Sequence, residues 1–297
     1  MIDINTIIIF LLNGLLYASS LFLIAAGLQI TFGVLNIINL AIGSFYAIGA
    51  YLGIELVRQS LGIGLPPYLS IIALIATVGF ALIIGPIIEV GLLRPIYKRE
   101  AEFQLLLTYG LILIFEDIIK MFWGLYPQSI PEAYTAYGNI LIGEITYPIY
   151  NLIVIVTTFI VAGMIAFMLT FTKIGIITRA TSHDKEMSAA LGVNVKRVYL
   201  LAFTMGTALG ILSGALMVPI QTAMPGLSVE VIVIAFAIIV IAGLGSIKGA
   251  LIASLIVGII RSIGIALFPE IELAVIYLIV IAVLLIKPSG LFGKVGG

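Results

Sequence analysis

Apolar residues run along this chain in long blocks, and the polar positions between them are few and short. A helix crosses about 30 Å of hydrocarbon with roughly 20 residues, because each residue adds about 1.5 Å. Nine blocks approach that length: Ile4–Leu28, Val34–Val57, Tyr68–Leu93, Phe103–Trp123, Pro148–Phe171, Tyr199–Val218, Val229–Ala242, Ala250–Phe268 and Leu273–Lys287. The second follows the first across only Gln29–Gly33, and the seventh is short enough to be a broken or re-entrant helix. Eight full spans is the alternative count. The predicted fold is all-α, a polytopic transmembrane helix bundle, with residues 1–297 forming one transmembrane domain.

Composition agrees with the pattern. The chain is 62% hydrophobic and 9% charged, against roughly 45–50% and 25% in soluble domains. A soluble protein of this make-up would expose apolar surface everywhere, whereas lipid requires it. Met1-Ile2-Asp3 lacks the positive charge of a cleavable signal, and the apolar run behind it is too long for one.

Charge sets the expected orientation. Arg94, Lys98 and Arg99 follow the third block, and Lys173, Arg179, Lys185, Lys196 and Arg197 lie between the fifth and sixth. Lys248 separates the seventh and eighth, and Lys287 and Lys294 close the chain. The alternate loops, Gly124–Tyr147 and Pro219–Ser228, hold neither lysine nor arginine, and only Arg58 departs from the pattern. Nine spans with a cytoplasmic C-terminus put every basic cluster inside. Zero net charge gives no case for nucleic acid.

Each polar group within a span calls for a partner or a role. Asn36 and Asn39 are three apart and would share a helix face. Glycines around them suit the centre of a bundle. That face is read either as a translocation pathway, with Asn13 and Tyr46 as further candidates, or as tight packing with interhelical hydrogen bonds. Glu116 and Lys120 are i,i+4 on the fourth span and would pair, leaving Asp117 to meet Arg261 of the eighth. This set reads as a structural ion-pair cluster or as a proton or ion site.

Catalysis finds little support. The one histidine, His183, sits in the most charged loop, and the aspartates are Asp3, Asp117 and Asp184 alone. No serine–histidine site, aspartyl dyad or two-histidine zinc site can be built within the bilayer from these. There is no cysteine, and no metal or cofactor is expected. Gly243-Leu244-Gly245-Ser246-Ile247-Lys248-Gly249 lacks the Gly-Lys-Ser/Thr of a phosphate loop, so ATP would not bind there.

The inside loop Thr172–Val198 is the longest cytoplasmic stretch. Thr181 or Ser182 can cap a helix over about His183–Leu191, with Asp184 and Glu186 in its first turn and Gly192 as its stop. Met187, Ala190 and Leu191 form a small apolar face, and Asn194 caps the next helix. Two turns are not stable alone in water. Such a helix packs on its own chain or docks into a partner.

Here the residues carry a resemblance. Glu186, Ala189, Ala190 and Gly192 resemble the coupling-helix signature of ATP-binding-cassette importer permeases, with Met187-Ser188 interrupting its order. Arg179-Ala180-Thr181, Ala189-Ala190-Leu191-Gly192 and the run Val195–Phe203 look like the branched-chain amino-acid permease family, LivH type. So do Asn13–Ala18, Leu35–Gly43, Leu93-Arg94-Pro95-Ile96 and Gly243–Ala250, which together span nearly the whole chain. The resemblance implies a permease of leucine, isoleucine and valine in the inner (plasma) membrane. It implies a second related permease subunit, two cytoplasmic ATPase subunits and an extracytoplasmic binding protein. Arg179, Asp184, Glu186, Met187, Ala190, Leu191 and Gly192 would form the ATPase-coupling segment. Permeases for urea and short-chain amides are very similar. An ion-coupled secondary transporter using Glu116 or Asp117, and a channel-like or structural subunit, are the readings from other classes.

Overall fold

The computed structural model of the chain describes residues 4–143, 145–267, 272–287 and 289–293. Met1–Asp3, Phe268 and Lys294, used above in reading the chain ends and spans, lie outside the described residues. Helices α1 (Ile4–Leu35) and α2 (Ile42–Gly62) are followed by a near-continuous helical run over 67–96 containing α3 (Ser70–Ala76) and α4 (Val78–Ile88). Then come α5 (Ala101–Trp123), the short α6 (Pro131–Thr135), a hairpin of β1 (Asn139–Ile142) and β2 (Ile145–Pro148), and α7 (Ile149–Phe171). The rest is α8 (Lys173–His183), α9 (Lys185–Ala190), α10 (Val195–Met217), α11 (Leu227–Ala242), α12 (Ile247–Leu267) and α13 (Glu272–Ile286). Among the described residues, five helical runs are long and apolar enough to cross a bilayer, so this is a multi-pass, essentially all-α membrane protein.

Two expectations are corrected at the first break. Gln29–Gly33 does not end α1, because its polar groups are satisfied within the bundle. Gln29 donates to the Gly243 carbonyl at 2.9 Å and Thr31 to the Gly27 carbonyl at 2.8 Å. The helix ends instead at Asn36, whose φ of 58° is left-handed, a conformation asparagine tolerates better than most residues. Asn36 and Asn39 therefore sit in a non-helical connection and share no helix face. The lysine- and arginine-free loop after α5 forms a cap with ordered structure, including a hairpin pairing Asn139 with Pro148 and Ile142 with Ile145.

The basic loops gather at one end of the bundle. The rings of Tyr97 and Tyr199 meet edge to face at 5.2 Å, joining the Arg94–Arg99 segment to the start of α10. The Ser182 hydroxyl donates to the Gly33 carbonyl, and Gln29 ties the Gly243–Gly245 turn to α1. Arg58 stands at the other end, donating to Gln128 at 2.8 Å beside the tyrosine-rich cap. There Tyr147 donates to Asn13 (3.3 Å), Tyr150 to the Leu216 carbonyl (2.8 Å) and Tyr137 to the Tyr68 carbonyl (2.7 Å).

Burial ranks the helices. The most apolar window of α10 is 78% buried, against 22% for α7 and 28% for the 67–96 run. The outer helices thus keep lipid-facing apolar sides while α10 fills the centre. Around it α1 and α2 approach to backbone contact, and α12 packs in the same way on α1. A Cβ added at Gly214 would overlap the Tyr46 carbonyl, and one at Gly49 the Ile211 carbonyl. Close approach of this kind replaces hydrophobic driving force within a membrane, where lipid is as apolar as the helix.

One ion pair is fully interior at the carboxylate. Glu89 is 0% exposed and accepts from Arg94 Nη2 at 2.6 Å, Arg94 Nε at 3.3 Å and the Tyr97 hydroxyl at 2.8 Å. Burial and the Glu89 carboxylate push the Tyr97 phenol well above its ordinary range, so it remains a donor. Removing Arg94 alone strands the buried charge, at about 2–4 kcal/mol. Arg94→Ala is expected to lower the thermal midpoint of the purified protein clearly, and Glu89→Leu with Arg94→Met to recover most of it. Equal losses in the two variants would count against this account.

Candidate functional site

Two helices begin inside the bundle. The start of α2 lies beside Gly210, well inside α10, where Ile42 abuts it. The start of α11 meets α2 directly, because a Cβ on Gly43 would overlap the Ser228 carbonyl. At 16 residues α11 is about 24 Å long, shorter than the hydrocarbon. The short seventh block is thus a helix begun at depth, as its length suggested. Each helix start presents unpaired N–H groups and a positive dipole end. Asn39, fully buried, accepts from the Ala41 N–H at 3.2 Å and turns the chain into α2. Glu116 of α5 serves α11: its carboxylate accepts from the Gly226 N–H at 2.5 Å and the Ser228 hydroxyl at 3.2 Å.

That placement reorders the expected ion-pair cluster. Lys120 lies 3.8 Å from Glu116 and 3.6 Å from Asp117. The Asp117 side chain is 82% exposed and bound to its own helix neighbour, so it does not reach inward to Arg261. Arg261 instead lies over the Tyr17 ring, 4.6 Å from its centroid. Sequence spacing found the i,i+4 pair but not the capping role of Glu116, which depends on α11 starting opposite it. Of the other candidates, Asn36 is exposed at the basic end, Asn13 is bound to Tyr147 at the opposite end, and Tyr46 is buried between them.

At the basic end the expected helix is α9, and a second helix, α8, precedes it. The chain leaves α7 at Thr172, whose hydroxyl caps α8 by accepting from the Gly175 N–H at 3.2 Å. It turns again at Asp184, which accepts from the Glu186 and Met187 N–H groups at 2.9 Å each and caps α9. Asp184, not Thr181 or Ser182, is therefore the cap. Thr181 is buried, and Ser182 is spent on the Gly33 carbonyl. Gly192, at φ 86°, takes the left-handed turn after α9 that a side chain would strain, and Asn194 caps α10 through the Arg197 N–H at 3.2 Å. Met187 is 58% and Leu191 78% exposed, with Ala190 exposed beside them, so this apolar face is uncovered by its own chain.

Between α8–α9 and the bundle opens a cavity of about 1150 Å³, lined by Asn36, Arg179, His183, Glu186 and Ser246 among others. Behind its Gly243–Gly245 wall lies a feature that sequence reasoning missed. Gln29 is 1% exposed and clamps the glycine-rich turn, donating to the Gly243 carbonyl and accepting from the Gly245 N–H at 2.5 Å. A lone glutamine inside an apolar block was the available signal. Glu230, Gln221 and Tyr17 line another cavity with Tyr46 and Arg261 and were likewise not singled out. No group of histidine and acidic side chains suited to a metal occurs among the described residues.

Residues 10–284 match the family model described as "Branched-chain amino acid transport system / permease component". The chain is 26% identical over 293 residues to the Pseudomonas aeruginosa high-affinity branched-chain amino acid transport system permease protein BraD, covering 96% of this chain and 95% of that protein. It is 25% identical to the Escherichia coli permease protein LivH of the same description, covering 95% and 94%. A probable branched-chain amino acid transport permease protein LivH of Methanocaldococcus jannaschii is 27% identical, covering 95% and 91%. No solved structure gives a significant match.

Proposed function

This chain belongs to the family of permease components of branched-chain amino acid transport systems, and on that premise we propose that it is one membrane-spanning subunit of an ATP-binding-cassette importer for leucine, isoleucine and valine. It works as a single domain of eight or nine spans in the inner membrane, with the basic end cytoplasmic. It pairs with a second, related permease, receives substrate from an extracytoplasmic binding protein, and is driven by two separate ATPase subunits. The chain carries no catalysis of its own in this reading.

One observation supports the reading most: the uncovered apolar face of α9, capped by Asp184 and stopped by Gly192, at the end where the basic loops gather. A six-residue helix gains little from its own hydrogen bonds and is stabilised by what it packs against. Its exposed methionine and leucine suit a groove in a soluble partner. Arg179, Asp184, Glu186, Met187, Ala190, Leu191 and Gly192 form this coupling segment.

Uptake by the complex purified from its own membranes tests the proposal. In proteoliposomes with ATP inside the ATPase compartment, labelled leucine should accumulate, with isoleucine and valine competing and urea and acetamide not. Accumulation driven by a proton or sodium gradient without ATP would overturn it, as would urea competing as well as valine.

A further inference from the structure

A further cluster of polar and ionisable side chains lies apart from both the docking segment and the unwound connection. Tyr17 of α1, Tyr46 of α2, Gln221 of the connection before α11, Glu230 of α11 and Arg261 of α12 line a single cavity of about 50 Å³. The Arg261 guanidinium lies over the Tyr17 ring, a contact that fixes its plane. Arg261 is fourteen residues along α12 from Ile247, about 21 Å from the basic end. Glu230 stands in the first turn of α11, which itself begins at depth, and is exposed.

An acid in a first turn is often there for the helix dipole. That service is already performed here, because Glu116 binds the Gly226 N–H and the Ser228 hydroxyl. A carboxylate on a spanning helix, exposed and not needed as a cap, belongs on a water-filled path and not against lipid. Arg261 faces the same cavity from the neighbouring helix. Opposite charges therefore stand on two adjacent helices around one small chamber.

We propose that this chamber is a subsite for the head group of an α-amino acid. The Arg261 guanidinium takes the α-carboxylate with paired, charge-assisted hydrogen bonds. The Glu230 carboxylate takes the α-ammonium, and Gln221 and the Tyr46 hydroxyl supply neutral partners. The inference rests on reading the chain as an amino-acid permease and adds where it engages its substrate. Size agrees: a water position needs about 10–15 Å³ of such space, so 50 Å³ admits the few polar atoms of a head group and not the branched side chain. Recognition is thus common to leucine, isoleucine and valine, and urea and simple amides lack the carboxylate it requires.

Leucine uptake by the reconstituted complex, at saturating loaded binding protein, is the test. Glu230→Gln and Arg261→Gln are each expected to slow uptake about ten-fold or more, as loss of a charge-assisted bond implies. Arg261→Lys, which keeps the charge but not the fork, should recover part of the rate. Co-purification of the partner subunits reports assembly; if Arg261→Gln fails to assemble, Glu230→Gln, at an exposed position, decides alone. Uptake by Glu230→Gln within about two-fold of wild type overturns the subsite. A wild-type complex that carries another amino acid overturns the substrate reading above, and the same variants then judge the subsite on that amino acid. A wild-type complex carrying only urea or amides overturns both.

Discussion

Met187→Asp together with Leu191→Asp is expected to abolish ATP-driven uptake while the chain still inserts at normal levels. Both side chains are exposed, so the change leaves no hole in the bundle and strands no buried group. What it alters is the face offered outward. Two charges placed at the centre of an apolar contact must be desolvated without a partner, at several kcal/mol in total. At about 1.4 kcal/mol per ten-fold, the affinity for a docked ATPase subunit falls by some three orders of magnitude. Co-purification of ATPase with the permease measures this directly. Retention of the ATPase by the double variant, with normal uptake, would remove α9 from the docking role.

Gln29→Leu should act differently, breaking the link between hydrolysis and transport and not the assembly. Three contacts line up at the basic end. The α8–α9 elbow is latched to α1 by the Ser182 hydroxyl on the Gly33 carbonyl. One turn further up α1, Gln29 grips both sides of the turn joining α11 to α12. Those two helices carry Glu230 and Arg261 at depth. A displacement of α9 is therefore handed to the turn between α11 and α12 by this amide. Leucine fills the space but leaves the Gly243 carbonyl and Gly245 N–H without it, at about 1–3 kcal/mol. The expected result is ATPase activity close to wild type with uptake lowered about ten-fold, read as amino acid imported per ATP hydrolysed. An unchanged ratio would show that the stroke travels another way.

The sequence told more about the frame than about the joints. Blocks of apolar residues located the helices because hydrocarbon thickness is a hard constraint, and the lysine–arginine pattern anticipated which loops share an end. The join between α1 and α2 was misplaced because Gln29 and Thr31 look like a loop when their partners are unseen. Gly243 and Gly245 lie more than two hundred residues away. Asp184 was taken for a first-turn acid when it is the cap, an offset that periodicity alone does not resolve. For the candidate site, the short α9 helix and its apolar face were legible because their signals are local. Glu116 as a cap, and Glu230 with Arg261 as neighbours, follow only from where α11 starts, which no local pattern records.

The glycine contacts at the centre carry a mechanical consequence. Where Gly49 meets the Ile211 carbonyl and Gly214 the Tyr46 carbonyl, backbone rests on backbone, and no side chain stands between to change rotamer and let one helix slide. The same holds where Gly258 abuts Gly14. Helices α1, α2, α10 and α12 are thereby locked into one stiff unit. On the importer reading proposed above, a stroke delivered at the basic end would be carried by this unit as a whole and not lost to internal bending. Opening to either side of the membrane would then be a tilt of the unit against the second permease, with the distance from α9 to the outer rim acting as its lever arm.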